Sequence, residues 1–317
     1  MDELVDSRGT PTHAFEAKFQ PMGFLLRVTS NSRAAIEAAE TSFRVFGPIE
    51  GDRPPDLNFQ IFEHEIDDNA LDEPTYRTAG QYVYQTSGRG STMVLDLKSG
   101  FAYGYFSRRT LSASEFFRWH FLDFSLFFML EWRGLVGVHG AALSKNGQAL
   151  LLRAPSGQGK TTLTFAAARR RFQALAEDVV WIDAKNDRWW GTPSRFHLLP
   201  DAKRLFPELQ GSQPRPMING ESKIAVDLEE IRAGSTATSG RPGNVMLLHR
   251  RPGGPSSIEK LGLSEAYQDW LTGCAANEST APNYERLVTS MLQGRAYRFN
   301  LGDDIEAALD LLEPYFD

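Results

Sequence analysis

The feature that most constrains this chain is a run rich in glycine and hydroxyl residues in the middle of the sequence. The run is Arg153-Ala154-Pro155-Ser156-Gly157-Gln158-Gly159-Lys160-Thr161-Thr162. It follows an apolar, strand-like stretch, 148–152, and opens a helix-like stretch, 161–171. This context is typical of a Walker A phosphate-binding loop, in which backbone N–H groups surround the phosphates and a lysine reaches the outer ones. The N-terminus of the following helix adds unpaired N–H donors and the positive end of its dipole.

One position departs from the strict G-x-x-x-x-G-K-[ST] pattern, because Ala154 stands where the first glycine is expected. We expect Gly157 to supply the missing flexibility, and the Thr161 hydroxyl to bind Mg²⁺. An ordinary strand–turn–helix corner is the alternative interpretation. The residues predicted to bind the nucleotide are Ala154, Pro155, Ser156, Gly157, Gln158, Gly159, Lys160, Thr161 and Thr162.

An acidic pair, Glu177-Asp178, follows the loop after one helix-like and one strand-like stretch. A helix over 160–170 rises about 16 Å, and a strand over 172–176 returns about 16 Å. We therefore expect the pair to lie level with the phosphate loop, at the C-terminal end of a parallel strand, where α/β sheets place ligand chemistry. The predicted roles are metal binding by Asp178 and acceptance of a proton from an attacking hydroxyl. Two solvated acids in a turn are the alternative.

The stretch Val179–Asp183 competes for the role of the acidic metal ligand, because it has the form of a Walker B strand. This strand would run away from the phosphates and place Asp183 at its far end. Asp178 is therefore the preferred ligand.

A histidine is predicted to join the site through the register of a hairpin. Asn146-Gly147 lies between two strand-like stretches, 137–144 and 148–153, and predicts a tight turn. With these residues as the turn, Lys145 faces Gln148, and His139 lies opposite Ala154. We expect the imidazole to reach bound phosphate or the acceptor, as a third catalytic residue beside the acidic pair. A histidine that only holds the loop in place is the alternative.

Three motifs, taken in order, resemble the catalytic domain of the HPr kinase/phosphorylase superfamily: Val138-His139-Gly140-Ala141, the loop 154–161, and Leu175-Ala176-Glu177-Asp178. The resemblance is greatest to the HPr-kinase-related proteins of bacterial gene clusters, some of which phosphorylate serines of small peptides or proteins. It covers residues 134–200, with a weaker similarity in 295–302. It implies an α/β, carboxykinase-like catalytic domain with a P-loop and a mixed sheet, ATP and Mg²⁺ as cofactors, and a protein or peptide acceptor with a serine hydroxyl.

The resemblance also implies roles for individual residues. In the family, the histidine lies near the transferred phosphoryl group, and an Asp-Asp pair provides the base and the metal ligand. These roles fall on His139, Glu177 and Asp178, where Glu177 replaces the first aspartate with a longer side chain. The family's further C-terminal signature is not matched, so phosphorolysis is not implied.

Two other functions remain open. A nucleotide-binding sensor or assembly protein that transfers no phosphate is compatible with the glutamate at position 177. A carboxykinase-like enzyme acting on a small molecule shares the loop but needs basic and metal ligands that this sequence does not identify. No local motif selects ATP over GTP.

At 317 residues, the chain is long enough for two domains with separate cores. We predict a disordered tail over 1–13, a smaller α+β accessory domain over 14–110, and the kinase-like catalytic domain over 111–317. An aromatic-rich stretch, 112–135, is predicted to be a buried helix leading into the catalytic domain. For the accessory domain, acceptor docking, oligomerisation and support of the catalytic sheet remain open. Its predicted elements are strands over 24–28, 57–64, 81–86, 92–97 and 101–106 and a helix over 34–44.

Composition and net charge limit the kinds of partner and the cellular location that we expect for this chain. The formal net charge of −6 argues against a nucleic-acid partner, for which a basic face is expected. The single cysteine, Cys274, cannot form an internal disulfide, and the start of the chain lacks the basic region of a signal peptide. Charged residues interrupt the most hydrophobic stretch, so no membrane span is expected. We predict a cytoplasmic protein.

Two polar stretches rich in Gly, Pro and Ser, 210–216 and 233–243, are predicted to be connectors or lids over the site. Arg215 and Arg241 within them are candidates to stabilise the charge of a transferring phosphoryl group, with solvated charge as the alternative.

Overall fold

The computed structural model describes residues 14–51, 53–65, 71–193, 196–217, 220–273 and 283–316. The predicted tail, 1–13, and Cys274 lie outside the described residues. The chain divides into two units, Met1–Gly134 and Leu135–Asp317. The boundary therefore lies at Gly134 and not between residues 110 and 111, because the aromatic helical segment packs into the core of the first unit.

The first unit is built on a seven-stranded mixed sheet of order β1-β2-β3-β7-β6-β5-β4. Neighbouring strands are antiparallel except for the parallel pairs β2–β3 and β3–β7. Strands form at all five predicted places, and β1 and β4 are additional. The strands are β1 (Phe15–Phe19), β2 (Leu26–Ser30), β3 (Leu57–His64), β4 (Thr75–Ala79), β5 (Tyr82–Ser87), β6 (Ser91–Asp96) and β7 (Phe101–Ser107).

Helices cover one face of this sheet. The helices are α1 (Arg33–Phe43), α2 (Arg108–Ser112), α3 (Ser114–Phe117), a π-helix (Arg118–Asp123) and α4 (Phe124–Trp132). Phe106 of β7 lies edge-on to Phe117 and Phe121, with ring centroids 4.9 and 4.7 Å away. The segment predicted as one helix over 112–135 is thus several short helices, and its aromatic side chains fill the core of the first unit.

The second unit contains three sheets, of orders β11-β9-β10-β18-β20-β19, β17-β13-β12-β8 and β14-β16-β15. Its strands are β8 (Val136–His139), β9 (Ala141–Lys145), β10 (Gln148–Arg153), β11 (Gln173–Ala176), β12 (Val179–Asp183), β13 (Arg188–Trp190), β14 (Phe196–Leu198), β15 (Arg215–Pro216), β16 (Ser222–Val226), β17 (Ser239–Gly240), β18 (Val245–Arg250), β19 (Ser257–Lys260) and β20 (Ala296–Leu301). Its helices are α5 (Lys160–Arg170), α6 (Leu228–Ile231), α7 (Leu263–Thr272), α8 (Tyr284–Leu292) and α9 (Ile305–Leu312). The protein is therefore α/β with mixed sheets.

Four strands of the six-stranded sheet end at the same edge. β10, β18 and β20 are parallel neighbours. β11 runs parallel to β10, because both are antiparallel to β9 between them. Helix α5 connects β10 to β11, which confirms the predicted strand–helix–strand crossover. The loop 154–159 and the acidic pair therefore follow strands that end at one edge of the sheet.

Two buried clusters hold helices on the faces of this sheet. One cluster contains Leu163 of α5 and Leu309 of α9. The other contains Trp270 of α7 and Val288 of α8. Burying apolar side chains on both faces is the usual way in which a mostly parallel sheet is stabilised. The loop edge between the two layers is thus carried by a packed framework.

The predicted hairpin is present. Asn146 and Gly147 have φ values of 53° and 75°, and Lys145 pairs with Gln148. The φ values are positive at both turn residues, as a type I′ turn requires. The β9–β10 ladder ends at the pair Ala141 and Leu152, so the predicted register is confirmed up to this point.

The strand predicted over 137–144 is broken at Gly140. β8 pairs with β12, which places His139 opposite Val179 instead of Ala154. The Gly140 N–H donates to the Asp178 carbonyl (2.9 Å). A Cβ at position 140 would lie 3.0 Å from the Leu152 carbonyl oxygen, so the chain passes close to β10 where it changes sheets. The predicted pairing of His139 is wrong for this reason.

The segment 233–243 is fixed along the sheet and is not a lid. Its backbone exchanges hydrogen bonds with Ala174 of β11 through Ser235 and Ala237 (2.8 and 2.9 Å). The Glu229 carboxylate accepts from the Gly234 and Thr236 N–H groups, each at 2.8 Å. These bonds satisfy the backbone of a stretch whose composition alone indicated a free connector.

None of the helices in the described ranges has the length and apolar character needed to cross a membrane.

Candidate functional site

The loop between β10 and α5 has the backbone that its glycines allow. Gly157 and Gly159 have φ values of 80° and 94°, in the left-handed region that favours glycine. Gly159 is the N-cap of α5. Ala154 is buried and keeps a negative φ, so an alanine is tolerated where the strict pattern has a glycine. Gly157 therefore adopts a left-handed conformation that is open to glycine at little cost, whereas the flexibility expected of it stays a prediction.

Lys160, the first residue of α5, is turned into its own loop. It is 7% exposed. Its Nζ donates to the carbonyl oxygens of Ala154 (2.7 Å) and Pro155 (3.2 Å). Burial lowers the pKa of Lys160, the charge of Asp178 opposes that change, and the charge of Arg153 adds to it. Among the described residues, the hydrogen-bond acceptors of this ammonium are neutral carbonyls. Burying an ammonium on such acceptors is costly, and an anion held by the loop would offset this cost.

The loop is fastened to the neighbouring parallel strand. The Gln158 Oε1 accepts from the Arg250 N–H at 2.9 Å. The Arg250 guanidinium donates to the Leu301 carbonyl (3.0 Å) and to Asp303 Oδ1 (2.5 Å). These bonds join the ends of β18 and β20 to the loop, so Gln158 has a positioning role here. The remaining loop residues, Ser156, Thr161 and Thr162, are exposed or half-buried.

Asp178 and His139 form a hydrogen-bonded pair beside the loop. His139 Nδ1 lies 3.1 Å from Asp178 Oδ1. The hydrogen bond with His139 lowers the pKa of Asp178, burial opposes it, and the charges of His139, Lys160 and Lys223 lower it further. The carboxylate is therefore ionised at neutral pH. The Asp178 side chain is 69% exposed, so it remains accessible to a ligand.

Arg153 supports this pair from below. It is 1% exposed. Its guanidinium lies 3.9 Å from the centre of the Trp270 ring and donates to the carbonyl oxygens of His139 (2.8 Å) and Trp270 (3.2 Å). The arginine thus ties the end of β8 to the strand that leads into the loop. Sequence reasoning missed this role, because an arginine before a phosphate loop carries no signal of burial.

Glu177 does not face the same way as Asp178. Its Oε1 accepts from the His197 backbone N–H (2.9 Å), and its Oε2 lies 3.2 Å from His197 Nδ1. The Glu177 side chain is 15% exposed and that of His197 is 30% exposed. The two adjacent acids therefore each hold a different histidine. His197 was not among the predicted site residues, since a lone histidine after a proline-containing loop fits no motif.

A lysine completes the charged environment. Lys223 lies on β16, which pairs with β14, and its charge lowers the pKa of Asp178. Its Nζ also forms an ion pair with Glu221 at 3.1 Å. Arg215 lies directly opposite Lys223 in the β15–β16 ladder. Of the two arginines predicted in polar stretches, Arg215 therefore lies on the same three-stranded sheet as His197, the partner of Glu177.

Two other candidates lie away from the loop. The Arg241 backbone bonds with Gly147 and Ala149 at the N-terminal end of β10, opposite the end that carries the loop. Arg241 therefore cannot stabilise a phosphoryl group there. Asp183 lies at the far end of β12, where its carboxylate accepts from the Asn186 side chain (2.7 Å) and N–H (3.1 Å). Asp183 shapes a turn, in keeping with the preference for Asp178.

The donor set suits magnesium carried by a nucleotide. Within the described ranges, no group of three or more His, Cys, Asp or Glu side chains is arranged to hold a metal ion. Thr161 and Asp178 offer a hydroxyl and a carboxylate, which are hard oxygen ligands. Mg²⁺ in phosphate sites takes one or two such protein ligands together with water and phosphate oxygens. The residues present fit Mg²⁺ of this kind and do not fit a metal held by protein ligands alone.

Comparisons with known proteins add little to this geometry. No family model matches the chain, and no curated protein matches its sequence. Among solved structures, the chain is similar to the Hpr(Ser) kinase/phosphatase from Coxiella burnetii, with a TM-score of 0.24 and 11% sequence identity. That similarity covers 50% of this chain and 94% of the other. It is a weak structural similarity and does not establish a shared fold or activity.

Proposed function

We propose that this protein is an ATP-dependent phosphotransferase that moves the γ-phosphoryl group to a hydroxyl, that of a serine on a small protein or peptide. The observation that carries the proposal is the position of Lys160. Its buried ammonium lies inside a glycine loop at a helix N-terminus and within electrostatic reach of the ionised Asp178. A loop with these properties is suited to a polyphosphate anion.

The roles of the loop follow from its donors. The amides of Ser156, Gly157 and Gly159, together with Lys160, hold the triphosphate, while Thr161 and Asp178 hold Mg²⁺. When bound, Mg²⁺ neutralises charge on the phosphate oxygens. Phosphoryl transfer needs little covalent chemistry from the protein, so positioning and charge neutralisation supply most of the rate.

The acceptor hydroxyl attacks the γ-phosphorus as the bond to the leaving ADP oxygen breaks. Its proton passes to a base beside the turn that carries Glu177 and Asp178. His139, held by Asp178 and by the Arg153 bond to its carbonyl, is positioned to stabilise the charge of the transferring group. With its Nδ1–H donated to Asp178, the ring carries a second hydrogen on Nε2 only as an imidazolium, and in that form it would donate to the transferring group.

The proposal is tested by incubating the full chain with MgCl₂, γ-labelled ATP and an array of serine-centred peptides. We expect label on peptides, and we expect Lys160→Ala to abolish its transfer. Lys185→Ala is the matched control, because Lys185 is an exposed lysine of the same unit and lies in the turn after β12. It should transfer at the wild-type rate.

Other outcomes identify the alternatives. Release of free phosphate without labelled peptide, or tight binding of unhydrolysed nucleotide, would indicate a sensor or assembly protein. Turnover with oxaloacetate-type acids and no labelled peptide would indicate a carboxykinase-like enzyme. Equal transfer by Lys160→Ala and the wild type would contradict every version that uses the loop.

A further inference from the structure

We infer that His197 is the base that takes the proton of the acceptor hydroxyl and that Glu177 is its positioning residue. The inference rests on the proposed phosphotransfer. It replaces direct proton acceptance by Glu177 with acceptance by a histidine that Glu177 orients. It also explains how a glutamate can serve at a position where its own carboxylate is already engaged.

Glu177 holds His197 through both oxygens of its carboxylate. Glu177 binds the His197 backbone N–H (2.9 Å) and its Nδ1 (3.2 Å), so one carboxylate fixes both the strand and the ring. A carboxylate at Nδ1 favours the tautomer with hydrogen on that atom, which leaves Nε2 as the basic nitrogen. Among the described residues, none is hydrogen-bonded to His197 Nε2. With 30% of the side chain exposed, the ring is accessible.

The pair of Glu177 and His197 lies near the loop edge of the sheet. Glu177 is followed directly by Asp178, and the charge of Asp178 raises the pKa of Lys160 in the loop against the effect of burial. His197 pairs with Ala225 on β16, two residues from Lys223 on the same face of that strand. The charge of Lys223 in turn lowers the pKa of Asp178. His197 therefore belongs to the charged cluster at the loop edge.

The neighbouring charges are mixed in sign. Glu177 and Asp178 lie on the turn after β11, Lys223 and Glu221 lie on and before β16, and Arg215 lies on β15. Carboxylates beside the ring can stabilise the imidazolium that forms when His197 accepts a proton.

The acceptor hydroxyl gives its proton to the neutral His197 Nε2, and its oxygen forms a bond to the γ-phosphorus. The bond between that phosphorus and the β–γ bridging oxygen breaks, and ADP leaves with the electron pair. The His197 imidazolium then releases its proton to solvent.

The test measures kcat/KM for the peptide most heavily labelled by the wild type, at saturating MgATP, from about pH 5.5 to about pH 9. The wild-type rate should fall on the acid side as a histidine gains its proton. His197→Gln should lower kcat/KM by about 10²–10⁴ and lose this acid limb. Its calorimetric affinity for MgATP should stay within about twofold of the wild type, which also shows that the variant folds.

A matched control is His249→Gln. His249 is a second histidine held by a carboxylate, with Nε2 2.8 and 2.9 Å from the Asp269 oxygens, and it is 41% exposed. Its loss should change kcat/KM by less than about threefold. If His197→Gln behaves in the same way and keeps the acid limb, the inference is overturned, and His197 only fastens β14 to the turn.

Glu177 variants give a readout that a structural role would not move. Glu177→Gln should shift the His197 ring tautomer, visible in its ¹⁵N chemical shifts, and should lower the rate in the same direction as His197→Gln. Glu177→Asp keeps a carboxylate and should therefore retain part of the rate that Glu177→Gln loses. An unchanged tautomer with an unchanged pH profile overturns the positioning role. A wild type that binds MgATP but labels no peptide contradicts the proposed function itself, a result distinct from the failure of His197 alone.

Discussion

At the residue scale, the site depends on what each ionisable side chain touches. Lys160 is buried against carbonyl oxygens, whereas Asp178 is 69% exposed and bonded to His139. Burial lowers the pKa of the lysine, and the hydrogen bond with His139 lowers that of the aspartate. The opposite charges nevertheless persist at neutral pH, because each favours the charged form of the other. A lysine and an ionised carboxylate at one edge of the sheet would suit the magnesium nucleotide that we propose as the ligand.

A residue of the first unit gives a test of the same electrostatic reasoning. Asp123 lies half-buried at the end of the π-helix. Burial raises the pKa of Asp123 to about 6, against the opposing effects of Arg118 and Ser42. Between about pH 4 and 6, the folded state keeps a proton that the unfolded state has lost, so stability falls as the pH rises through this window.

Asp123→Asn should therefore stabilise the protein at pH 7.5 by up to about 3 kcal/mol and should have little effect near pH 4. Urea denaturation of the wild type and the variant at both pH values measures the difference. Equal effects at the two pH values, or destabilisation at pH 7.5, would show that the carboxyl group titrates normally.

Sequence reasoning predicted that the loop, Asp178 and His139 lie close together, and the structure places Asp178 3.1 Å from His139 and within electrostatic reach of Lys160. The positions of these residues could be predicted from the sequence, because each lies in a local pattern of strand, glycine and helix or of a hairpin turn. The partners Arg153 and His197 are not readable in this way. Their roles arise from contacts with residues distant in the chain, such as Trp270 for Arg153.

At the scale of elements, the loop edge exists because β10, β11, β18 and β20 end together. Helix length and strand length predicted the return of β11, since both are set by fixed rises per residue. The break between β8 and β9 was not predicted. The break depends on the close approach of Gly140 to β10, where a Cβ at position 140 would lie 3.0 Å from the Leu152 carbonyl oxygen. The alternation of side chains along a sequence does not reveal a tertiary contact of this kind.

The N-cap of α5 gives a prediction at this scale. Gly159 has a φ of +94°, and a Cβ there would lie 3.2 Å from Leu301 Cδ2. Gly159→Ala should lower stability by about 1–2 kcal/mol, because an L-residue is strained in this conformation. It should also weaken nucleotide binding, since the first turn of α5 must shift. Thermal or urea denaturation measures the first effect.

Gly211→Ala is the control for that substitution. A Cβ at position 211 has no heavy atom within 4 Å, and its φ lies outside the left-handed region. Its stability should stay within about 0.5 kcal/mol of the wild type. If both alanine variants behave alike, the left-handed N-cap does not constrain the loop.

At the scale of the whole molecule, every residue assigned to the site lies in the second unit. The first unit contributes a mixed sheet whose helix-free face carries four tyrosines that are 40–42% exposed: Tyr82, Tyr84, Tyr103 and Tyr105. Acceptor docking, oligomerisation and support of the catalytic unit remain predictions for it.

The most direct measurement of the central claim is calorimetric titration of the full chain with MgATP, beside Lys160→Ala and Asp178→Asn. We expect heat of binding for the wild type and none for Lys160→Ala. For Asp178→Asn, we expect an affinity for ATP that no longer rises when Mg²⁺ is added. No heat with the wild type, or the same isotherm for all three proteins, would contradict the claim that this loop and this carboxylate hold one magnesium triphosphate.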